Sequence, residues 1–122
     1  MAILTNGMRK AIEKMYKGTC DVIEHQSVKD PITKKTGFSE VPVLLAQRCR
    51  LSYKTITVTG DGNTASLSQE IKLFISPDVE IKPGSKIEVT QDGIKTAFTN
   101  ASVPAVYDTH QEIALKLFDR WA

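Results

Sequence analysis

Gln69-Glu70-Ile71-Lys72-Leu73-Phe74-Ile75-Ser76-Pro77-Asp78-Val79-Glu80-Ile81-Lys82-Pro83-Gly84-Ser85-Lys86-Ile87-Glu88-Val89 is the stretch on which the fold turns. Over 70–76, apolar Ile71, Leu73 and Ile75 alternate with Glu70, Lys72 and Phe74. That is the period at which a strand sends successive side chains to opposite faces. Pro77-Asp78 stops the run, and Pro83-Gly84 turns the chain into 86–90, whose Ile87 and Val89 face inward. Asp92-Gly93 takes positive φ at low cost and sets a hairpin into Ile94, Thr96 and Phe98. Phe74, an aromatic on the polar side of its strand, is a candidate contact residue.

Beyond 100–104 the pattern is ambiguous. Strand spacing groups Ile113, Leu115 and Leu117, whereas helical spacing groups Ile113, Leu117 and Trp121. Val106, Tyr107 and Thr109 favour a strand start, while 112–120 has good helix propensity. The strand reading, one long strand over 106–117, is preferred, and the helix stays open. Tyr107, Phe118 and Trp121 are candidate interface anchors, because aromatic side chains bury much area at little rotamer cost; packing within the same subunit is the competing use.

Towards the N-terminus, 55–68 holds Ile56 and Val58, then Gly60-Asp61-Gly62-Asn63 and a run of small polar residues, which reads as a flexible hairpin or flap. In 43–54, Cys49, Leu51 and Tyr53 alternate with Arg48, Arg50 and Ser52, as in a half-buried strand. Arg48, Arg50 and Lys54 then line a face that meets water, phosphates or an acidic partner. Asp30-Pro31, Lys34-Lys35 and Gly37 punctuate 29–42, which reads as a long exposed loop. A strand is expected over 19–28, with Cys20 and Val22 on one face and Ile23 and His25 on the other. Over 8–16, Met8, Ile12 and Met15 or Tyr16 stand at helical spacing, giving a short helix that Asn6 can cap and Gly18 ends. The expected fold is therefore mainly β: a single-domain β-barrel of about six strands spanning 1–122, with an N-terminal helical segment in 1–17 and long loops.

Composition narrows the function. At 122 residues, 41% hydrophobic and 25% charged, the chain has one core to build and no window approaching the ~18 apolar residues of a membrane span. No membrane partner is expected, and the N-terminal residues lack a secretory pattern, so the cytoplasm is the expected site of synthesis. A formal charge of +2, with acids and bases interleaved, gives little non-specific affinity for nucleic acid unless copies concentrate it.

Cys20 and Cys49 read as free buried thiols, and with His25 and His110 they lack the paired spacing of small zinc modules, so no metal is expected. His25 beside Glu24, and His110 beside Gln111-Glu112, do not make acid–base pairs by adjacency, since neighbours in a strand point apart. No phosphate loop, dinucleotide glycine pattern or nucleophile elbow occurs in the sequence. No enzyme activity, catalytic residue or cofactor is expected.

Three groups of segments carry a family resemblance: Cys49-Arg50-Leu51-Ser52-Tyr53-Lys54; Ile71-Lys72-Leu73-Phe74-Ile75-Ser76-Pro77 followed by Ile81-Lys82-Pro83-Gly84-Ser85; and Pro104-Ala105-Val106-Tyr107 with Thr109-His110-Gln111-Glu112-Ile113. The chain resembles, from Tyr16 onward, a family of minor capsid proteins from long-tailed bacteriophages and prophages of Gram-positive bacteria, similar to head-tail connector proteins of the head-closure or stopper type. The resemblance implies a virion protein at the head–tail interface, a small β-barrel assembling as a ring of twelve or six copies. Portal and adaptor proteins would lie on its head side, tail proteins on the other, and packaged double-stranded DNA in the channel without sequence specificity. Gly60, Asp61, Gly62 and Asn63 are the candidate channel or gating loop. A tail-terminator or tail-joining protein and a small nucleic-acid-binding barrel are the alternatives.

Overall fold

The computed structural model describes residues 2–59 and 65–121. One helix, α1 (Ala2–Lys14), precedes seven strands: β1 (Gly18–Lys29), β2 (Thr36–Thr59), β3 (Ala65–Ile75), β4 (Lys86–Gln91), β5 (Ile94–Asn100), β6 (Ala105–Val106) and β7 (Gln111–Leu117). All pair antiparallel in one sheet of order β3-β2-β1-β4-β5-β7-β6, and β3 also pairs with β7. Hydrogen bonding therefore runs round a ring of six strands, with β6 outside it on β7. The protein is mainly β, as the alternation in 70–98 predicts. Among the described residues no helix is long and apolar enough to cross a membrane.

The inward face of every ring strand is apolar. Cys20 and Val22 of β1, Cys49 and Leu51 of β2, Leu73 and Ile75 of β3, Ile87 and Val89 of β4, Phe98 of β5, and Ile113 and Leu115 of β7 form one buried cluster, with Ile81 covering it from the β3–β4 connection. Asp92 (φ 54) and Gly93 (φ 78) make the left-handed two-residue turn that joins β4 to β5, as Asp-Gly predicts.

Two side-chain amides stand in for missing backbone partners. Gln111, 2% exposed, donates through Nε2 to the carbonyls of Ser76, at 2.8 Å, and Val79, pinning the β3–β4 connection over the ring. Gln91 pairs with Leu51, its Oε1 accepting the Leu51 N–H at 3.0 Å where β1 no longer reaches β2.

Several sequence expectations need correction. The loop expected over 29–42 is mostly strand: β1 and β2 continue as a hairpin arm, and only 30–35 turn. Asp30 ties that turn by accepting N–H bonds from Ile32 (2.8 Å) and Thr33 (3.3 Å), which hold its carboxyl below the usual range. Pro42 is tolerated because β2 is an edge there. The flap expected over 55–68 is likewise largely a hairpin, paired as far as Thr59↔Ala65, since the β-branched run 55–59 favours extension; Gly60, Asp61, Gly62 and Asn63 lie outside the described residues. Tyr53 is exposed rather than inward, because β1 ends at Gly18↔Cys49 and leaves that part of β2 paired with β3 alone.

The long strand expected over 106–117 is split into β6 and β7 by a tight turn, closed by the Tyr107 N–H to the His110 carbonyl at 2.8 Å. Leu117, expected inward with Ile113 and Leu115, is exposed. The helix alternative for this segment is not adopted.

Gln111→Leu keeps the side-chain volume but strands two carbonyls, so it is expected to lower unfolding stability by about 2 kcal/mol. Denaturant titration checks this, and an unchanged midpoint would show that the amide does not pin the connection.

Candidate interaction surfaces

The six candidate interface residues fall on two surfaces. Register explains the first. Arg50 pairs with Phe74, and Phe74 with Glu112, so the three side chains form one row across the outer face of β2, β3 and β7. Arg48 lies two residues back from Arg50 on the same face, and both are exposed. The β6–β7 turn folds Tyr107 and His110 over this row. Their rings stack at 5.0 Å, and His110 lies 5.9 Å from the ring of Phe74. The structure thus brings Arg48, Arg50, Phe74 and Tyr107 together.

Within this surface His110 Nε2 lies 3.3 Å from Glu112 Oε2, and His110 Nδ1 lies 3.1 Å from Thr109 Oγ1. His110 precedes β7, in the β6–β7 turn, so the rule that strand neighbours point to opposite faces does not bind it, and its ring reaches Glu112, the second residue of β7. Lys72 Nζ, 3.6 Å from Glu112 and 3.7 Å from Glu70, completes a half-exposed network. Such exposed pairs are each worth a few tenths of a kcal/mol to about 1 kcal/mol, so the network orients the aromatic rings more than it holds the fold.

The second surface gathers where β1 and β2 extend past β4, with His25 on β1 and Phe38 and Glu40 on the first part of β2, upstream of Arg48 and Arg50. Trp121 stacks on His25 at 4.8 Å, Phe38 lies 4.9 Å beyond His25, and Phe118 meets Trp121 edge-on at 4.9 Å. Trp121 Nε1 donates to Glu40 Oε1 at 3.0 Å, and Lys86 reaches both Glu40, at 3.4 Å, and the Phe118 ring, at 5.3 Å. The segment after β7 is thereby clasped onto the base of the arm. Stacked and edge-on aromatic pairs contribute roughly 0.5–1.5 kcal/mol each beyond their burial. His25, Phe38 and Glu40 are the members that sequence reasoning missed.

Cys20 and Cys49 lie inside the core, whereas His25 and His110 lie on these two separate surfaces. The Cys49 thiol beside it, and then burial, push the Cys20 thiol pKa up, which keeps it protonated. The four residues weighed as a metal set are therefore not assembled.

A solved structure shares this fold. The phage-like element PBSX protein xkdH from Bacillus subtilis aligns with 81% of this chain and 91% of its own, at a TM-score of 0.50 and 9% sequence identity. At that identity the likeness is one of fold. No protein-family model and no curated protein matches the chain.

Glu40 gives the second surface a pH dependence. The Trp121 N–H, followed by the charge of Lys86, holds its carboxyl below the ordinary glutamate range. A depressed carboxyl contributes its stabilisation above the unfolded-state pKa and loses it as pH falls through the folded one. Trp121 emission is expected to shift towards that of a solvated indole on acidification below that range. Glu40→Gln, which keeps an acceptor at every pH, should remove the transition; a transition that persists in Glu40→Gln would rule out the carboxylate as its source.

Proposed function

We propose that this chain is a structural protein of a bacteriophage or prophage head–tail connector: a head-closure protein that forms a ring below the portal and adaptor and offers the tail a docking surface. The observation that carries this reading is the fold shared with a phage-like element protein over 91% of that protein's length. The resemblance of the 49–54, 71–85 and 104–113 segments to connector proteins points the same way.

Two features of the chain support ring assembly. A closed ring needs heterologous contacts, in which one patch meets a different patch on the next copy. The Arg50–Phe74–Tyr107 surface and the Trp121–His25–Phe38 surface are different in chemistry and rest on different stretches of the sheet, the first where β2 pairs with β3 and the second where β1 and β2 pair with each other alone. The β2–β3 hairpin leads into Gly60, Asp61, Gly62 and Asn63, a sequence suited to a channel loop because glycine lowers the cost of alternative backbone states. In this reading the packaged duplex is held sterically, without base contacts, and the work of the protein is assembly rather than catalysis.

Incubation with DNA-filled tailless heads, followed by electron microscopy, tests the role. Density at the portal vertex is expected, with none on isolated tail tubes; the reverse would favour a tail-joining protein. Deleting 60–63 is expected to let heads lose DNA while the ring still attaches. Full genome retention by that deletion would remove the gating role and leave the connector role standing.

A further inference from the structure

β1 and β2 outrun their neighbours. The pairing of β1 with β4 ends at Ile23↔Lys86, and that of β2 with β3 begins only at Cys49↔Ile75. From Glu24↔Val41 to Lys29↔Thr36 the two strands pair with each other alone, among the described residues. A register shift bends β2 where the arm leaves the ring: Cys20, Val22 and Ile23 face Gln47, Leu44 and Pro42, Ala46 takes φ 51, and its N–H donates to Asp21 Oδ1 at 2.8 Å. The arm therefore carries two open edges, one on β1 and one on β2.

A two-stranded hairpin is marginal in water, and an open edge bearing apolar side chains is a template for another strand. Val28, Phe38, Val43 and Leu45 are all exposed on this arm. Edges meant to stay free carry lysine or proline; here these stand only at the two ends of the arm, as Lys29 and Pro42, and 37–41 of β2 between them carries neither. Beside the β1 edge runs a groove of about 530 Å³, walled by Gln26 and Ser27 on one side and by Gly84 and Trp121 on the other. It occupies the line β4 would follow if it continued backwards from Lys86.

The geometry points to strand pairing between copies of this chain: the open β2 edge of one arm adds to the open β1 edge of the next, in the groove beside Gln26 and Ser27. A second copy is the fitting occupant because one hairpin supplies both halves of the contact. Copies related by rotation about a common axis point their arms the same way. Since β1 and β2 run in opposite directions, the new ladder is antiparallel, like every other pair in the sheet. Repetition round a closed ring pairs every edge, whereas a two-fold dimer joining β1 to β1 leaves both β2 edges open. This deepens the connector reading and rests on it only for the presence of many copies.

The full chain is followed by sedimentation from micromolar to millimolar concentration, with hydrogen exchange read at each step. Association is expected to slow the outward-facing amides of 24–29 and 36–41 by about tenfold or more. Ser39→Lys and Ser27→Lys, one on each edge, should abolish association with melting temperature retained, and Val106→Lys on β6 should assemble as the parent does. A chain that stays monomeric at millimolar concentration, an assembly that leaves those amides fast, or normal assembly by both arm variants would overturn the pairing. Full-strength attachment of both arm variants to DNA-filled heads would sink the strand pairing alone. Arm-mediated assembly by a chain that ignores such heads would sink the connector role alone.

Discussion

The structure depends on the pairing of β3 with β7. Five residue pairs, from Ile71↔Leu115 to Ile75↔Gln111, close onto β7 the β3 edge that would otherwise end an open sheet. Without that closure, Leu73, Ile75, Ile113 and Leu115 would lose each other as neighbours, and the core would have an open side. Closure also fixes the exterior. It aligns Arg50, Phe74 and Glu112 in one row and brings the β6–β7 turn, with Tyr107 and His110, over it. The surface is thus a by-product of the same hydrogen bonds that seal the core.

β2 imposes the second constraint. At 24 residues it is far longer than the ring needs, so one strand is stave, arm and β2–β3 hairpin in turn. The bend at Ala46 separates the arm from the ring, and Trp121 with Lys86 clamps the arm's base through Glu40. A closed body with a projecting two-stranded arm suits the proposed connector role, in which each copy must meet neighbours. Contacts spread over such extensions require little burial per copy and gain strength when copies are held together.

The fold class was legible where local pattern and tertiary environment agree. Ile71, Leu73 and Ile75, and Ile87 and Val89, behave as their spacing requires because they face into the ring with strands on both sides, and Asp92-Gly93 does so because its left-handed turn is a local preference. The arm was hidden by Gly37 and Pro42, which punctuate a buried strand but are tolerated at an edge, and by Asp30-Pro31, which turns the chain only at the arm's tip. Tyr53 misled for the opposite reason: its alternation is correct, but β1 is no longer there to cover it. The Glu40–Trp121 contact joins residues 81 positions apart, and no periodicity carries information across that distance. Of the two surfaces, Phe74 could be found as an aromatic out of phase with its strand. His25 and Phe38 could not, since their importance comes from the segment that folds back onto them.

The central claim is that a closed β body serves as one unit of a connector ring. Native mass measurement of portal–adaptor complexes, with and without the protein, tests it most directly. The account predicts a single discrete increase equal to a full ring of copies of this chain, six or twelve. No increase, or a graded series beginning with one or two copies, would contradict it.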